Sequence, residues 1–278
     1  MTAAGINKGM NADLAAQLEQ SEIHYMADRM RAIQERSGNP MGVHIRQVDG
    51  LLALRSSGMP WPQFNTVKGL ESRHVEQLDD ILGFYPEDGR APQLEIIPSK
   101  GSPELSRALA ARGYVQTGFH ASWYMEGINQ TDAAGQRLPT GIEVRELEGD
   151  EFDTYARIHC LGTGLPIAGL SHVADNNIVL HGRKGWSFYL ALADGIPAGT
   201  GVMYAQRDQA SLTFAATLPE YRGRGIQQAL IRHRLAAAAA LGCTLQVSQT
   251  AYGSISGRNM ERCGMRLGYT RVTWTKED

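Results

Sequence analysis

Residues 217–230 read T-L-P-E-Y-R-G-R-G-I-Q-Q-A-L and carry the residue types that bind phosphate. Gly223 and Gly225 can take left-handed backbone angles and let a ligand come close to the main chain. A helix starting at Ile226 offers unpaired N–H groups and the positive end of its dipole, with Arg222 and Arg224 adding charge beside it. Such a turn holds phosphate or pyrophosphate. The same spacing also fits a tight turn with no ligand. A Rossmann dinucleotide site fits less well, since it needs a third glycine and an acid about twenty residues on. Gln228 stands at the third-glycine place, and Gln246–Gln249 brings no acid. A Walker A loop needs Gly-Lys-Ser/Thr, which is absent.

The stretch L-P-E-Y-R-G-R-G-I-Q-Q-A-L resembles the acyl-CoA motif of the GNAT (GCN5-related N-acetyltransferase) superfamily, Arg/Gln-x-x-Gly-x-Gly/Ala. Arg222, Gly225 and Gln227 take the three fixed places, with Gln227 departing from Gly/Ala. The resemblance extends more weakly from about Gly141 to the C-terminus. It implies that the strand edge at Ala215, Ala216 and Thr217 pairs with the pantetheine arm of acetyl-CoA, the cosubstrate. It also implies that the main chain of Gly223, Arg224, Gly225, Ile226, Gln227 and Gln228 holds the pyrophosphate, together with Arg222. Asn259, in S-I-S-G-R-N-M-E-R-C-G-M, would reach the CoA arm by its amide; helix capping is an equal alternative. Many family members place a tyrosine four residues before the glycine of a Gly-aromatic pair as acid for the thiolate. Here the pair is Gly268-Tyr269 and the count lands on Gly264, which has no side chain to donate a proton. Tyr252 and Cys263 are the substitutes considered, with packing as the alternative role of each.

These residues need elements to hold them. Leu212 and Phe214 alternate along a strand over Ala210–Thr217, which Pro219 halts because it has no N–H for a ladder. The helix from Ile226 runs through Ala236–Ala240 to a stop at Gly242. Thr244–Gln249 is expected as a strand, Gly257–Leu267 as a helix and Thr270–Lys276 as a closing strand. Before the motif come a strand at Ile142–Leu147, helices at Asp150–Cys160 and His172–Leu180, and a hairpin of Trp186–Ala193 with Pro197–Gln206 about an Asp-Gly turn.

The first half shows a similar order. Its first ten or so residues are expected to be disordered, followed by a helix over Leu14–Arg36. Strands follow at Gly42–Val48, Leu51–Ser56 and Gln63–Val67. Then come a helix over Ser72–Phe84, a strand at Gln93–Pro98, a helix at Glu104–Arg112 and a strand at Thr117–Met125. T-D-A-A-G-Q-R-L-P-T-G at 131–141 is a polar linker. L-A-A-R-G-Y-V-Q-T-G-F at 109–119 parallels G-M-R-L-G-Y-T-R-V-T-W at 264–274, suggesting two copies of one fold. V-K-G-L-E-S-R-H stands where a first-half glycine turn would be and has no phosphate grip. The expectation is an α/β (α+β) protein of two GNAT-like domains, each with a mixed, mostly antiparallel sheet flanked by helices. The first (1–130) would be a degenerate copy and the second (142–278) the acyl-CoA-binding one; an unrelated first domain is the alternative.

The chain has 278 residues, 27 Lys and Arg against 29 Asp and Glu, and no basic block, so nucleic acid has no electrostatic footprint. Cys160, Cys243 and Cys263 show no Cys-x-x-Cys spacing, which argues against a metal cluster and suits a reducing compartment. No signal peptide or membrane-spanning run is visible, so a soluble cytoplasmic protein without membrane partners is expected.

N-acyl transfer needs an unprotonated amine aligned with the thioester, a base or water path, and donors for the developing oxyanion. No base stands out. S-L-T-F-A-A-T has no carboxylate, Glu220 sits in the turn, and His159, His172 and His181 are candidates only by preceding the motif. Arg232, His233 and Arg234 are candidates for the 3′-phosphate of CoA or for a solvated helix face. The main expectation is an acetyl-CoA-dependent N-acyltransferase acting by direct attack in a ternary complex, with a small-molecule or peptide amine seated between the halves. A non-catalytic acyl-CoA sensor or partner-binding protein is the rival, and a ligand-free structural tandem domain a third. The acceptor and the oligomeric state are not legible in the sequence.

Overall fold

A computed structural model describes residues 9–59, 61–86, 90–127 and 138–277. The first eight residues of the expected disordered terminus and residues 131–137 of the expected linker therefore lie outside the described residues. Helix α1 (Ala12–Gln34) starts where Asn11 accepts the Leu14 N–H at 2.8 Å. Its apolar residues at helical spacing, Leu18, Ile23, Met30 and Ile33 among them, are all buried. Strands β1 (Val43–Val48), β2 (Leu51–Ser56) and β3 (Thr66–Lys68) form an antiparallel meander. Strand β4 (Gln93–Ile96) then runs parallel to β3. Helices α2 (Leu78–Leu82) and α3 (Pro103–Ala110) lie before and after β4 in the chain, and the long β5 (Tyr114–Glu126) follows.

The second half repeats much of this order. Strand β6 (Ile142–Glu146) leads to α4 (Phe152–Thr163) and α5 (Leu170–Ile178). Strands β7 (Trp186–Ala193), β8 (Ile196–Gln206) and β9 (Gln209–Thr217) form the second meander. Asp194 and Gly195 both take positive φ in the β7–β8 turn, as the Asp-Gly signal requires. Helix α6 (Ile226–Ala240) crosses to β10 (Leu245–Ala251), which runs parallel to β9, and α7 (Ile255–Arg262) and β11 (Arg266–Lys276) close the chain.

The architecture is a mixed α/β fold whose mostly antiparallel sheet is flanked by helices. The two sheets expected are one: eleven strands in the order β1-β2-β3-β4-β11-β5-β10-β9-β8-β7-β6. The last strand of each half sits in the other half's place. Strand β5 pairs with β10 over Ala121–Glu126 and neighbouring residues, and β11 pairs with both β5 and β4. The exchange hydrogen-bonds each half's last strand into the other half, and neither central strand is left as an edge. Trp186, Phe188 and Leu190 pack with α1 and α4 on one face. The alternate residues Tyr189, Ala191 and Ala193 pack with α6 on the other.

Three boundaries differ from expectation for local reasons. The strand expected at 63–67 begins only at Thr66, because Pro62–Phe64 forms a 3-10 turn. The helix over 72–84 splits into a 3-10 segment, Ser72–Gln77, and α2. Helix α7 ends at Arg262 rather than Leu267, because Gly264 takes φ +87° and the Met265 N–H returns to the Met260 carbonyl at 3.0 Å. The paralleled Gly-Tyr pairs also differ in place. Gly113-Tyr114 opens β5, whereas Gly268 lies at a register shift within β11.

Candidate functional site

The glycine turn expected to bind phosphate forms as its residue types require. Gly223 and Gly225 adopt φ +80° and +83°, and Gly225 is the N-cap of α6 without any side-chain cap. The Tyr221 and Arg222 N–H groups are taken by Leu218 and Pro219 carbonyls, and the first helical bond runs from Ala229 to Gly225. Among the described residues, no acceptor takes the intervening N–H groups of Gly223 to Gln228. Six donors at a positive helix end thus face outward together.

All of them but Arg224 belong to residues that line a cavity of about 480 Å³. One wall is Ala215, Ala216 and Thr217 of β9; another is Ser256, Asn259 and Arg262 of α7. Arg222, Gly223, Gly225, Ile226, Gln227 and Gln228 form its floor. Two arginines line it and no carboxylate does, so its electrostatics suit a polyanion. Arg224 is the one expected cofactor residue absent from the lining. Its guanidinium turns to Asp194 at 2.6 Å and to the Tyr221 ring, leaving only its main chain at the turn.

Asn259 serves α6 rather than its own helix start, which Ser254 caps through the Gly257 N–H. Asn259 donates to Gln227 Oε1 at 2.7 Å, and Gln227 donates to Ser256 Oγ at 2.8 Å. The residue that departs from the motif is therefore the tie between the turn and α7.

The end of the cavity away from the turn is shaped by β9. Its parallel pairing with β10 stops at Leu212, and beyond that point the two strands splay. Against β8 the register jumps from Thr200–Ala216 to Val202–Thr213, so Phe214 and Ala215 together oppose Gly201. Phe214 carries the extra residue of this bulge at φ +46°, an unusual backbone for a bulky side chain. It is clamped by the Arg29 guanidinium at 4.2 Å, the edge of Tyr25 at 5.7 Å and the stacked Trp186 ring at 6.5 Å. The main chain of Thr213–Thr217 thus has no strand partner on the cleft side.

Through the splay the first cavity continues into a second, of about 440 Å³, with Ala215, Gln227 and Ser256 shared by both. Its far wall comes from the first half. Glu22 of α1, Lys68 of β3, Glu95 of β4 and Arg271 of β11 close a buried ring of alternating charge. Lys68 pairs with Glu22 at 2.9 Å and also with Glu95, while Arg271 pairs with Glu95 at 3.1 Å and also with Glu22. Burial alone would raise the Glu95 carboxyl, but Arg271 and Lys68 outweigh it and hold it at about 2. His120 of β5 also lines this cavity; burial, helped by Arg271, pushes its imidazole down to about 4, so it is neutral at pH 7.

The other candidates fall elsewhere. Tyr252 is exposed in the turn after β10, and Cys263 is buried among Ile231, Leu235 and Met260; neither lines a cavity described above. Glu220, His172 and His181 are exposed, and His159 stacks on Tyr155 one turn before it in α4. Arg234, considered for the 3′-phosphate, is fully buried beneath the sheet, and His233 packs against Tyr189. Sequence reasoning missed the four-charge ring and His120, which five separate elements bring together. A single weak signal was present: Glu95 between Leu94 and Ile96 is a charge inside an apolar run.

Residues 163–265 match the family model described as "Acetyltransferase (GNAT) family". No curated protein matches the sequence. A GCN5-related N-acetyltransferase from Kribbella flavida is similar in structure, with TM-score 0.68 and 14% identity over 95% of this chain and 96% of that one. One from Sphaerobacter thermophilus gives TM-score 0.57 and 15% identity over 97% and 94%. A tandem GNAT protein from the clavulanic acid biosynthesis pathway gives 0.56 and 12% over 96% and 95%. At these identities the likeness is one of fold.

Proposed function

Because the chain carries a GNAT acetyltransferase domain, matched over residues 163–265, and is thereby a transferase enzyme, we propose that it is an acyl-CoA-dependent N-acyltransferase working by direct transfer in a ternary complex. Acetyl-CoA is the proposed donor. The observation that carries this reading is the run of free N–H groups from Gly223 to Gln228, opening into a cavity lined by Arg222 and Arg262 and by no acid. Those donors would hold the pyrophosphate, and the unpaired edge at Ala215–Thr217 would take the pantetheine amides. The thioester supplies an electrophilic carbonyl at the splay. The N–H groups freed by the Phe214–Ala215 bulge would be the donors for the negative charge that develops on its oxygen.

The amine acceptor, a small molecule or peptide terminus, is assigned to the second cavity. Its nitrogen forms the new N–C bond as the C–S bond breaks, and its proton leaves through the polar wall. His120, neutral and facing this cavity, is proposed to orient a water that carries that proton out, since at about 4 its imidazole is too weak a base to hold it. Residues 1–130 are proposed as a degenerate GNAT-like unit that supplies this wall and 142–278 as the CoA-binding unit. Both carry an antiparallel meander followed by one parallel step, β3 to β4 and β9 to β10, which supports that division. A cytoplasmic location is part of the same proposal. Among the described residues no helix is long and apolar enough to cross a membrane.

Calorimetry with CoA and acetyl-CoA tests the site. Binding at micromolar ligand is expected, and no binding at millimolar ligand refutes it. One observation favours a second reading, a non-catalytic acyl-CoA sensor: neither Tyr252 nor Cys263 stands at the splay to protonate the thiolate. Thiol release over a panel of amines separates the two. Turnover supports the transferase, and tight binding without turnover supports the sensor.

A further inference from the structure

The second cavity holds one cation too many. Glu22 and Glu95 are balanced within their ring by Lys68 and Arg271. His120 is neutral. That leaves Arg234 of α6, which also lines the cavity and is 0% exposed. Burial lowers its guanidinium to about 10, far above neutral pH, so it keeps its charge. No carboxylate among the described residues pairs with it.

What holds Arg234 is main chain alone. Its Nη1 donates to the Val202 carbonyl at 2.9 Å and the Thr213 carbonyl at 3.1 Å, and Nε donates to the Leu230 carbonyl at 3.0 Å. The two Nη1 contacts cap strand carbonyls beside the β9 bulge, and the Nε contact returns to the preceding turn of α6 itself. The guanidinium fits there because Gly201 has no side chain; a Cβ at that residue would lie 3.0 Å from Arg234 Cζ. Capping a bulge explains Nη1, and a bond within α6 explains Nε, but neither explains the charge, since a neutral amide could donate as well. Nη2 has no acceptor.

The imbalance extends to the other unpartnered groups. Arg271 Nε and Gln249 Nε2 are buried without acceptors, and both side chains line the same cavity. All three orphaned atoms in this lining are N–H donors, and none is an acceptor. A buried charge without a counterion and donors without acceptors are each costly, and a ligand that supplies both relieves them together. The ligand group that does so is an anion with several acceptor oxygens.

We infer that one of the two reactants brings a carboxylate into this cavity, with Arg234 as its charge partner and therefore as a specificity-determining residue. This rests on the acyltransferase reading above. The carboxylate has two sources: an amine acceptor of the amino-acid type, or an acyl donor whose chain ends in a carboxylate. Both place a single negative charge beside the splay.

The experiment uses the full-length protein and two matched arms. In the first, amino acids and their carboxamides are compared as acceptors with acetyl-CoA. In the second, succinyl-CoA and butyryl-CoA are compared as donors to those carboxamides. Binding of each pair is also measured by calorimetry, with CoA present in the first arm, so that the result does not depend on turnover. At least a tenfold preference for the carboxylate member is expected in one arm, and that arm identifies the source. In Arg234→Met the preference should fall to within about twofold while CoA affinity stays within threefold. Arg234→Lys, which keeps the charge, should retain part of it, and serves if the methionine variant does not fold. Equal binding and turnover within both pairs in the wild type would overturn the inference, as would a preference unchanged by both substitutions. Failure of CoA to bind at all would instead strike the acyltransferase reading, and the carboxylate inference with it.

Discussion

Substituting Glu95 by Gln tests how the far wall of the cleft is held. The side chain sits inside the sheet and bonds Lys68, Arg271 and Gln93, joining the first half to the exchanged strand β11. Its carboxyl is held at about 2 against an ordinary 4.5. A difference of that size is on the order of 3 kcal/mol of stability at neutral pH. The second route to the magnitude is structural. Glutamine leaves Lys68 and Arg271 facing Glu22 alone, and breaking a buried ion pair from one side costs about 3–5 kcal/mol. Both routes give a loss of about 3 kcal/mol.

The sign follows from the direction of the shift. A depressed carboxyl contributes its full stability above its ordinary value and loses it as pH falls towards about 2. The wild type should therefore weaken between about pH 4.5 and 2, whereas the glutamine variant has no such contribution to lose. Urea unfolding followed by tryptophan fluorescence reads this at neutral pH and near pH 3. The gap between the two proteins should narrow on acidification. A variant within about 1 kcal/mol of wild type at pH 7, or a gap unchanged near pH 3, would refute the counterbalanced ring. CoA affinity should stay as it was, because Glu95 does not line the first cavity.

Gly223→Ala places a methyl where nothing lies within 4 Å, towards the open cavity, at φ +80°. It should cost about 1–2 kcal/mol of stability from the left-handed backbone and weaken CoA at least tenfold by calorimetry; unchanged affinity would remove the pyrophosphate from this turn. Gly225→Ala should be the worse folder, since its Cβ would lie 2.9 Å from Pro139 Cγ, and comparative urea melts check the order. Phe214→Ala should cost about 3 kcal/mol through the lost clamp and lower turnover more than CoA affinity. Arg29→Met should leave unfolding within about 1 kcal/mol, because the lost cation–π contact offsets the removal of a buried cation. A large loss there would show that Arg29 has a partner beyond the aromatic rings.

Much of the second half is legible in the chain because its determinants are local. Gly223 and Gly225, the helix after them and the Asp-Gly hairpin are set by backbone sterics within a few residues, and they fold where expected. Ala215–Thr217 and the turn reach one cavity because strand, turn and helix are contiguous. Asn259 was placed by resemblance, but its partner Gln227 was not foreseen, since α6 and α7 meet only after β10 intervenes. The strand exchange was also invisible. Strands β5 and β11 each suit either half by pattern, and their partners, β10 and β4, lie far away in the chain, beyond the reach of local spacing.

The sequence by itself determined a glycine turn at a helix start, the strands and helices around it, and a family likeness, because short-range geometry and hydrophobic period act on neighbouring residues. Only the tertiary structure decided what lies across the splay from that turn. Glu22, Lys68, Glu95, His120, Arg234 and Arg271 lie on separate elements with no shared spacing. Their charges acquire meaning only when burial removes water and leaves each to find, or lack, a partner.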